Sequence, residues 1–408
     1  MVKNWRRVVF GLWLVVILVV TIRGLAAPHQ NSVFLVFRDA GRAWAAGQPL
    51  YAQVGKYLYS PLAAAFFAPF SLIPDWAGSG LWRLVTGLAY FFAVLCWFGR
   101  DEVPLVRFLA RRDANPSDER ELVPTEFGLL MLLPLSIGNL NNGQASPLII
   151  ALMLFACLAF LEERWTLAAA CISVAAFFKI YPLAIGLLLA VIEPRKLGWR
   201  LIVGILILGA LSLVLQRPNY VTGQYRDWWR CLTEDQRRVS TELGSWRDTW
   251  LLLRIIHVPI TVAGYAVLQV LAALAAAFLC WRRSKVWNRA AVIWFAFTIG
   301  CLWITLFGPS TELATYIFVA PSMAFACAWV LWPMVKREQP VQGFRLIPIV
   351  AYALLLLAEA LNAWVPVIRQ NSHLHAIQPI AALLFLGFII VWNPLPVHHS
   401  EDAVASRE

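Results

Sequence analysis

Charge is what this chain has least of. Only 14% of its 408 residues are Asp, Glu, Lys or Arg, against about 25% in soluble domains, and no hydrophilic stretch is long enough to fold by itself. That excludes a soluble nucleotide-binding unit, so any activated substrate has to arrive through the membrane. A Gly-rich phosphate loop, a Ser/His/Asp set and a paired-Cys zinc spacing are all missing. Cys96, Cys157, Cys171, Cys280, Cys301 and Cys327 lie in apolar runs and only Cys231 in a hydrophilic loop, which rules out a disulfide framework. His373 and His375 have no Cys or carboxylate at ligand spacing, so neither a metal nor another cofactor is expected. Internal repeats and low-complexity tracts are absent too.

What remains is apolar. Sixty per cent of the residues are hydrophobic and the mean hydropathy is +0.68. Runs near 8–22, 61–98, 126–139, 146–161, 166–192, 200–215, 259–280, 290–307, 313–333, 346–363 and 378–392 approach or exceed the roughly 20 helical residues that cross a bilayer. Only helices suit such runs, because the backbone must satisfy itself in lipid. The expected fold is a single all-α, polytopic integral membrane domain over 1–408. The net charge of +11 is dispersed over short connections, among them Lys3, Arg6, Arg7, Arg111, Arg112, Arg195, Lys196, Arg282, Arg283, Lys285, Lys336 and Arg337. That is the positive-inside pattern rather than a nucleic-acid surface, and membrane lipid is the expected surrounding. The N-terminus reads as a signal anchor, since Pro28 follows the small-residue site Leu25-Ala26-Ala27 and disfavours cleavage.

Two stretches resist simple counting. Residues 61–74 form a run ending at Ile73-Pro74-Asp75 that is too short for a full span, and 166–192 is interrupted by Lys179-Ile180-Tyr181-Pro182. One crossing for 61–98 and two for 166–192 put most basic residues inside and give about twelve spans with both termini cytoplasmic. The outside then holds the first loop 23–60, the turn Asn139–Gln144, the Lys179 break, the large loop 216–258, the turn at Gly308–Glu312 and loop 364–377. The tail 394–408 is a short cytoplasmic end.

Polar chemistry gathers on that outer face. Residues 33–46 predict a short interfacial helix with Ser32 as N-cap, Gly47 as the C′ residue and Pro49 as a stop. Val33, Phe37, Ala40 and Trp44 share one side, and Arg38, Asp39 and Arg42 the other. A guanidinium beside Asp39 favours the ionised carboxylate, which can serve as a base or simply as half of a surface ion pair with Arg42. Lys179 is a cation stranded between two apolar half-segments, where it needs water, a carboxylate or a phosphate. Asn142 and Gln144 flank Gly143 in a turn that could line a polar pocket. Glu312 follows the sharp Gly308-Pro309 break, and Glu359 lies near the outer end of an apolar run, poised to snorkel or to face a cavity. The aromatics of loop 216–258, including Tyr220, Tyr225, Trp228, Trp229, Trp246 and Trp250, read by default as an interfacial belt.

Several of these pieces resemble one known family. Phe37-Arg38-Asp39-Ala40 through Gly47-Gln48-Pro49-Leu50-Tyr51, Tyr59-Ser60-Pro61-Leu62 and Ala68-Pro69-Phe70 resemble the opening of glycosyltransferase family 87, the polyprenol-phosphate-mannose-dependent mannosyltransferases. Asn142-Gly143-Gln144-Ala145-Ser146-Pro147-Leu148 and Ala175-Ala176-Phe177-Phe178-Lys179-Ile180-Tyr181-Pro182 resemble its later segments. In the late outer turn, Pro309 through Tyr316 departs from the aromatic and His-rich segment of many members. The resemblance implies a GT-C-type helical bundle in a bacterial plasma (inner) membrane, with its active site facing the periplasm or exterior. It implies transfer of a hexose such as mannose from a polyprenyl-phosphate-linked donor to a lipid or glycan acceptor, with inversion. By position Asp39 is the catalytic base, Lys179 and then Arg42 meet the donor phosphate, and Arg38, Tyr59, Asn142, Gln144, Tyr181 and Glu312 bind substrate.

Two readings from other classes remain beside it: a transporter or flippase of lipid-linked saccharides gated by the broken segments, and a non-enzymatic scaffold. Transporters commonly show duplicated halves, and no duplication is visible here. The topology has its own test. With Cys231 replaced, an Asn115→Cys variant in intact cells is expected to resist a membrane-impermeant thiol reagent, and labelling from outside overturns the twelve-span arrangement.

Overall fold

A computed structural model describes residues 2–52, 57–99, 125–234, 246–308, 311–335, 343–365 and 372–392, and every regular element among them is helical. In chain order these are α1 (Val2–Ala26), α2 (Phe34–Ala45), α3 (Pro61–Phe67), α4 (Asp75–Phe98), α5 (Thr125–Asn141), α6 (Ser146–Leu161), α7 (Trp165–Phe178), α8 (Leu183–Ile192) and α9 (Trp199–Leu215). There follow α10 (Pro218–Glu234), α11 (Thr249–Ile255), α12 (Val262–Ser284), α13 (Arg289–Phe307), α14 (Ala320–Val335), α15 (Leu346–Trp364), α16 (Ser372–His375) and α17 (Ile377–Val391). The stretches that include α1, α4, α9, α12, α13, α15 and α17 are long and apolar enough to cross a membrane. Shorter apolar helices α6, α7, α8 and α14 run among them, so the protein is a polytopic helical membrane protein as expected. Helix α13 is buried on nearly every side and touches α6, α8, α12 and α17, whereas α9 and α12 leave most of their surface outward for lipid.

Contacts sort the connections into two ends. At one end Arg6 faces Glu126 at 3.7 Å, Arg289 pairs with Glu163, Lys196 Nζ stands 5.1 Å over the Trp165 ring, and Arg283 donates to the Ile389 carbonyl. These are the basic connections of the sequence pattern. At the other end Val33 N donates to Asn142 O at 3.0 Å, Ser60 Oγ to Phe177 O and Tyr316 OH to Arg247 O at 2.7 Å. Both ambiguous stretches become readable. The segment 61–72 is α3 plus a 3-10 turn over Ala68–Leu72; it starts at Ser60 and returns at Asp75 to the same end. Helices α7 and α8 form a hairpin, since Trp165 and Lys196 meet at the basic end while Lys179 occupies its tip. With 14 and 10 residues, its arms span about 21 and 15 Å against a core of about 30 Å, so the tip is recessed below the level of the full-length spans. The loop 100–124, with Asn115, and the tail 394–408 lie outside the described residues.

One buried cation fastens the end that carries α2. Arg83 of α4, 1% exposed, donates to Asn141 O at 3.0 Å, to Ser79 O at 3.3 Å, to Ser79 Oγ and to Ser32 Oγ at 3.3 Å. Ser32 therefore does not cap α2 as the sequence suggests: its hydroxyl serves Arg83, and Val33 stands at the N-cap with no side-chain bond. Gly41 lets α2 lie against α3, where a Cβ would stand 2.4 Å from Phe67 O. Gly41→Leu is expected to push the two helices apart and cost about 1–3 kcal/mol, read as a lowered Tm of the purified protein.

Candidate active site

Helix α2 exists because one side of it is apolar and the bundle end is ready to receive it. Phe37, Ala40 and Trp44 are buried as the periodicity predicts, Val33 is only half-buried, and Phe34 is buried beside them. Phe37 stacks on Phe67 at 4.7 Å and meets Tyr59 edge-on at 4.9 Å. Gly47 closes the helix at φ +66°, the left-handed C′ geometry expected of it. From the other side α10 works as a strap. Gln216, just before it, and its own Tyr220 donate through their side chains to Trp44 O and Gln48 O at 2.9 and 2.7 Å. Gln224 accepts from Leu50 N at 2.8 Å, and Trp228 Nε1 donates to Leu58 O at 3.0 Å. Tyr220 and Trp228 thus hold the loop between α2 and α3, whereas Trp229 is 67% exposed.

The polar side of α2 differs from its sequence expectation in two respects. Arg38 is 8% exposed, whereas the helical wheel assigns it to solvent. Its Nε and one terminal nitrogen donate to Asp39 Oδ1 at 3.1 and 2.7 Å, and its other terminal nitrogen pairs with Asp75 Oδ2. Arg42 does not form the expected pair with Asp39 but turns to Asp75 Oδ1 at 3.3 Å, and His29 Nε2 approaches the same carboxylate at 3.6 Å. Burial opposes the Arg38 charge, yet the Asp75 and Asp39 carboxylates outweigh it and raise the guanidinium's pKa above its ordinary value. Asp39 itself is half exposed at its side chain, and both bonds from Arg38 land on Oδ1. Its Oδ2 is the oxygen with no bond to Arg38, on a carboxylate open to solvent and held in orientation. That is what a general base needs.

A second group sits at the hairpin tip. Lys179 Nζ lies 5.7 and 5.6 Å over the Tyr59 and Tyr181 rings, close enough for cation–π attraction, and Glu312 is within electrostatic range. Tyr59 is fixed through its carbonyl, which accepts from Tyr51 OH at 2.7 Å, and burial raises its hydroxyl pKa, so it stays neutral. Directly below Tyr181 an apolar groove of about 410 Å³ runs between α8, α12 and α13, lined by Ala184, Leu187, Leu274, Ala277 and Trp303. The Phe37–Tyr59 contact joins this group to α2.

Asn142 and Gln144 belong to neither group. The Asn142 carbonyl anchors Val33, the Gly143 carbonyl accepts from Trp82 Nε1 at 2.9 Å, Gly143 adopts φ +63°, and Gln144 is buried. Their turn supports α2 from behind. Asp75 is the residue that sequence reasoning missed. Its signal is an acid directly after Pro74 at a helix start, but nothing local says that the helix opens against α2. Among the described residues no three His, Cys, Asp or Glu side chains converge to hold a metal.

Taken together, the fold and these two groups define a membrane-embedded protein with a solvent-facing carboxylate above a cation and an apolar groove. The model of glycosyltransferase family 87 matches residues 57–309, well over half of the chain. The protein belongs to glycosyltransferase family 87 and is a membrane glycosyltransferase. The match takes in Tyr59, Asn142, Gln144, Lys179 and Tyr181 and begins after Asp39. A comparison with curated proteins gives no match. Removing Asp75 tests the clamp: Asp75→Ala leaves the buried Arg38 short of a partner and is expected to cost about 1–3 kcal/mol, seen as a lower Tm and as faster proteolysis within 27–60.

Proposed function

We propose that this glycosyltransferase moves a hexose, mannose by family resemblance, from a polyprenyl-phosphate-linked donor to a glycolipid or glycan acceptor at the outer face of a bacterial plasma membrane. The observation that carries the reading is that Tyr181, whose ring stands 5.6 Å from Lys179 Nζ, also lines the apolar groove. An isoprenoid phosphate has that polarity, a long apolar chain ending in an anion, and the groove volume falls within the roughly 300–1,000 Å³ of small-molecule sites. Tyr59 and Tyr181 flank the cation where a sugar ring can stack.

The chemistry follows from the two groups. Asp39 takes the proton from an acceptor hydroxyl as that oxygen attacks the anomeric carbon. The bond from the anomeric carbon to the phosphate oxygen breaks, and the polyprenyl phosphate leaves with the bonding pair. Attack opposite the leaving group inverts the configuration. The developing phosphate charge is met by Lys179, with Arg42 second, so no acid is required to protonate it. Family membership favours this reading over a flippase, and the Asp39–Arg38–Asp75 clamp suits a positioned base better than a carried charge.

Two substitutions separate the roles. Asp39→Asn is expected to lower transfer at least about 10²-fold while donor binding stays within about twofold, since the amide keeps the size and the oxygen acceptor that Arg38 bonds to. Lys179→Met is expected to weaken binding of decaprenyl phosphate strongly, with Lys179→Arg retaining part of it. Parental transfer rates in a folded Asp39→Asn protein, or unchanged phosphate binding in Lys179→Met, count against the assigned role in each case.

A further inference from the structure

A third polar group lies at the same end of the bundle and takes no part in the chemistry above. Arg247, in the segment leading to α11, donates to Gln378 Oε1 at 3.0 Å and to Asn362 Oδ1 at 3.4 Å. Its backbone is pinned on both sides, N to Thr311 O at 2.7 Å and O from Tyr316 OH at 2.7 Å. Glu359 of α15 stands within electrostatic range of the guanidinium. Gln378 of α17 is 0% exposed, and its Nε2 has no hydrogen-bond partner. A buried amide donor without an acceptor is costly to keep, and its persistence here signals a missing acceptor.

Glu359 also borders the outside of the bundle. Gly138 on α5 is exposed, and a side chain started there would meet only Glu359 Oε2, at 3.5 Å, within 4 Å. Ile137, next to Gly138 in the chain, is exposed as well. A carboxylate at such a rim is unfavourable against hydrocarbon and calls for a polar group arriving from the membrane side. The donor set defines which group. A carboxylate accepts, a guanidinium donates and carboxamides do both, which together suit adjacent hydroxyls on a sugar ring. A phosphate is disfavoured because Glu359 would repel it. Glu312 lies within electrostatic range of both Arg247 and Lys179, so this group adjoins the one assigned to the donor.

We propose that Arg247, Glu359, Asn362 and Gln378 bind the hydroxyl groups of the acceptor, the saccharide headgroup of a glycolipid that enters from the membrane between α5 and α15. The proposal rests on the glycosyl-transfer reading and adds the acceptor's site, chemical class and route. Entry between α5 and α15 keeps it apart from the groove between α8, α12 and α13, so donor and acceptor lipids approach from different sides.

The test uses the full-length protein in lipid nanodiscs and two kinds of probe. Octyl α-D-mannopyranoside, octyl α-D-glucopyranoside and octyl α-D-galactopyranoside stand for the headgroup, and decaprenyl phosphate for the donor. Glu359→Gln is expected to raise the Kd of the tightest octyl hexoside by at least about tenfold and to leave that of decaprenyl phosphate within about twofold. Lys179→Met is expected to do the reverse. Asn362→Ala and Gln378→Leu carry the same expectation if Glu359→Gln does not fold. Unchanged hexoside binding in the folded variants, equal loss of both probes, or no hexoside binding by the parental protein overturns the acceptor site. Failure of decaprenyl phosphate to bind the parental protein while hexoside binding falls as expected would instead remove the donor reading and leave a saccharide site.

Discussion

A positive charge inside an apolar bundle must be matched, and the end of the bundle that carries α2 is organised around matched cations, three of them at the candidate site. Arg83 is met by carbonyls and hydroxyls of α1–α2, α4 and the Asn141 turn, and so fixes the platform on which α2 rests. Arg38 is met by Asp39 and Asp75, which binds α2 to the start of α4 and holds Asp39 in orientation. Lys179 is met by two aromatic faces and the field of Glu312. The two guanidinium groups are held by direct hydrogen bonds, whereas the ammonium stands over aromatic faces, and on the reading proposed above it is the cation that meets the donor's phosphate.

The recess depends on helix length. Full spans hold the bundle together, while the short arms α7 and α8 stop early and leave a polar floor beneath the level of α2. Shortness of α8 also opens the groove along α12 and α13. On the reading proposed above, the same shortfall in length would serve both the anion and the apolar chain of a lipid-linked donor, with the exposed Asp39 carboxylate on α2 nearby.

Much of this was legible in the sequence. Helical class, the apolar side of α2, the Gly47 terminus, the break at Lys179 and its likeness to a family segment all follow from local pattern, because lipid leaves the backbone no choice and because a lone lysine between apolar runs is conspicuous. What stayed hidden depends on partners distant in the chain. Arg38 reads as a surface residue until Asp75, 37 positions later, arrives beside it; Ser32 reads as a cap until Arg83 claims its hydroxyl; and Arg42 reads as the partner of Asp39 although Asp75 draws it away. Asn142 and Gln144 are visible as a polar turn, but only the fold reveals that their backbone faces the rear of α2. Arg247, Glu359, Asn362 and Gln378 come from the segment before α11, from α15 and from α17, and form no motif at all.

The most direct measurement is glycosyl transfer by the purified protein in lipid nanodiscs, with radiolabelled decaprenyl-phosphate-mannose as donor and a membrane glycolipid extract as acceptor. Label is expected in the extractable glycolipid, joined through an anomeric centre opposite in configuration to that of the donor. Label that stays on decaprenyl phosphate across hexose donors, or that only changes leaflet without a new glycosidic bond, would contradict it.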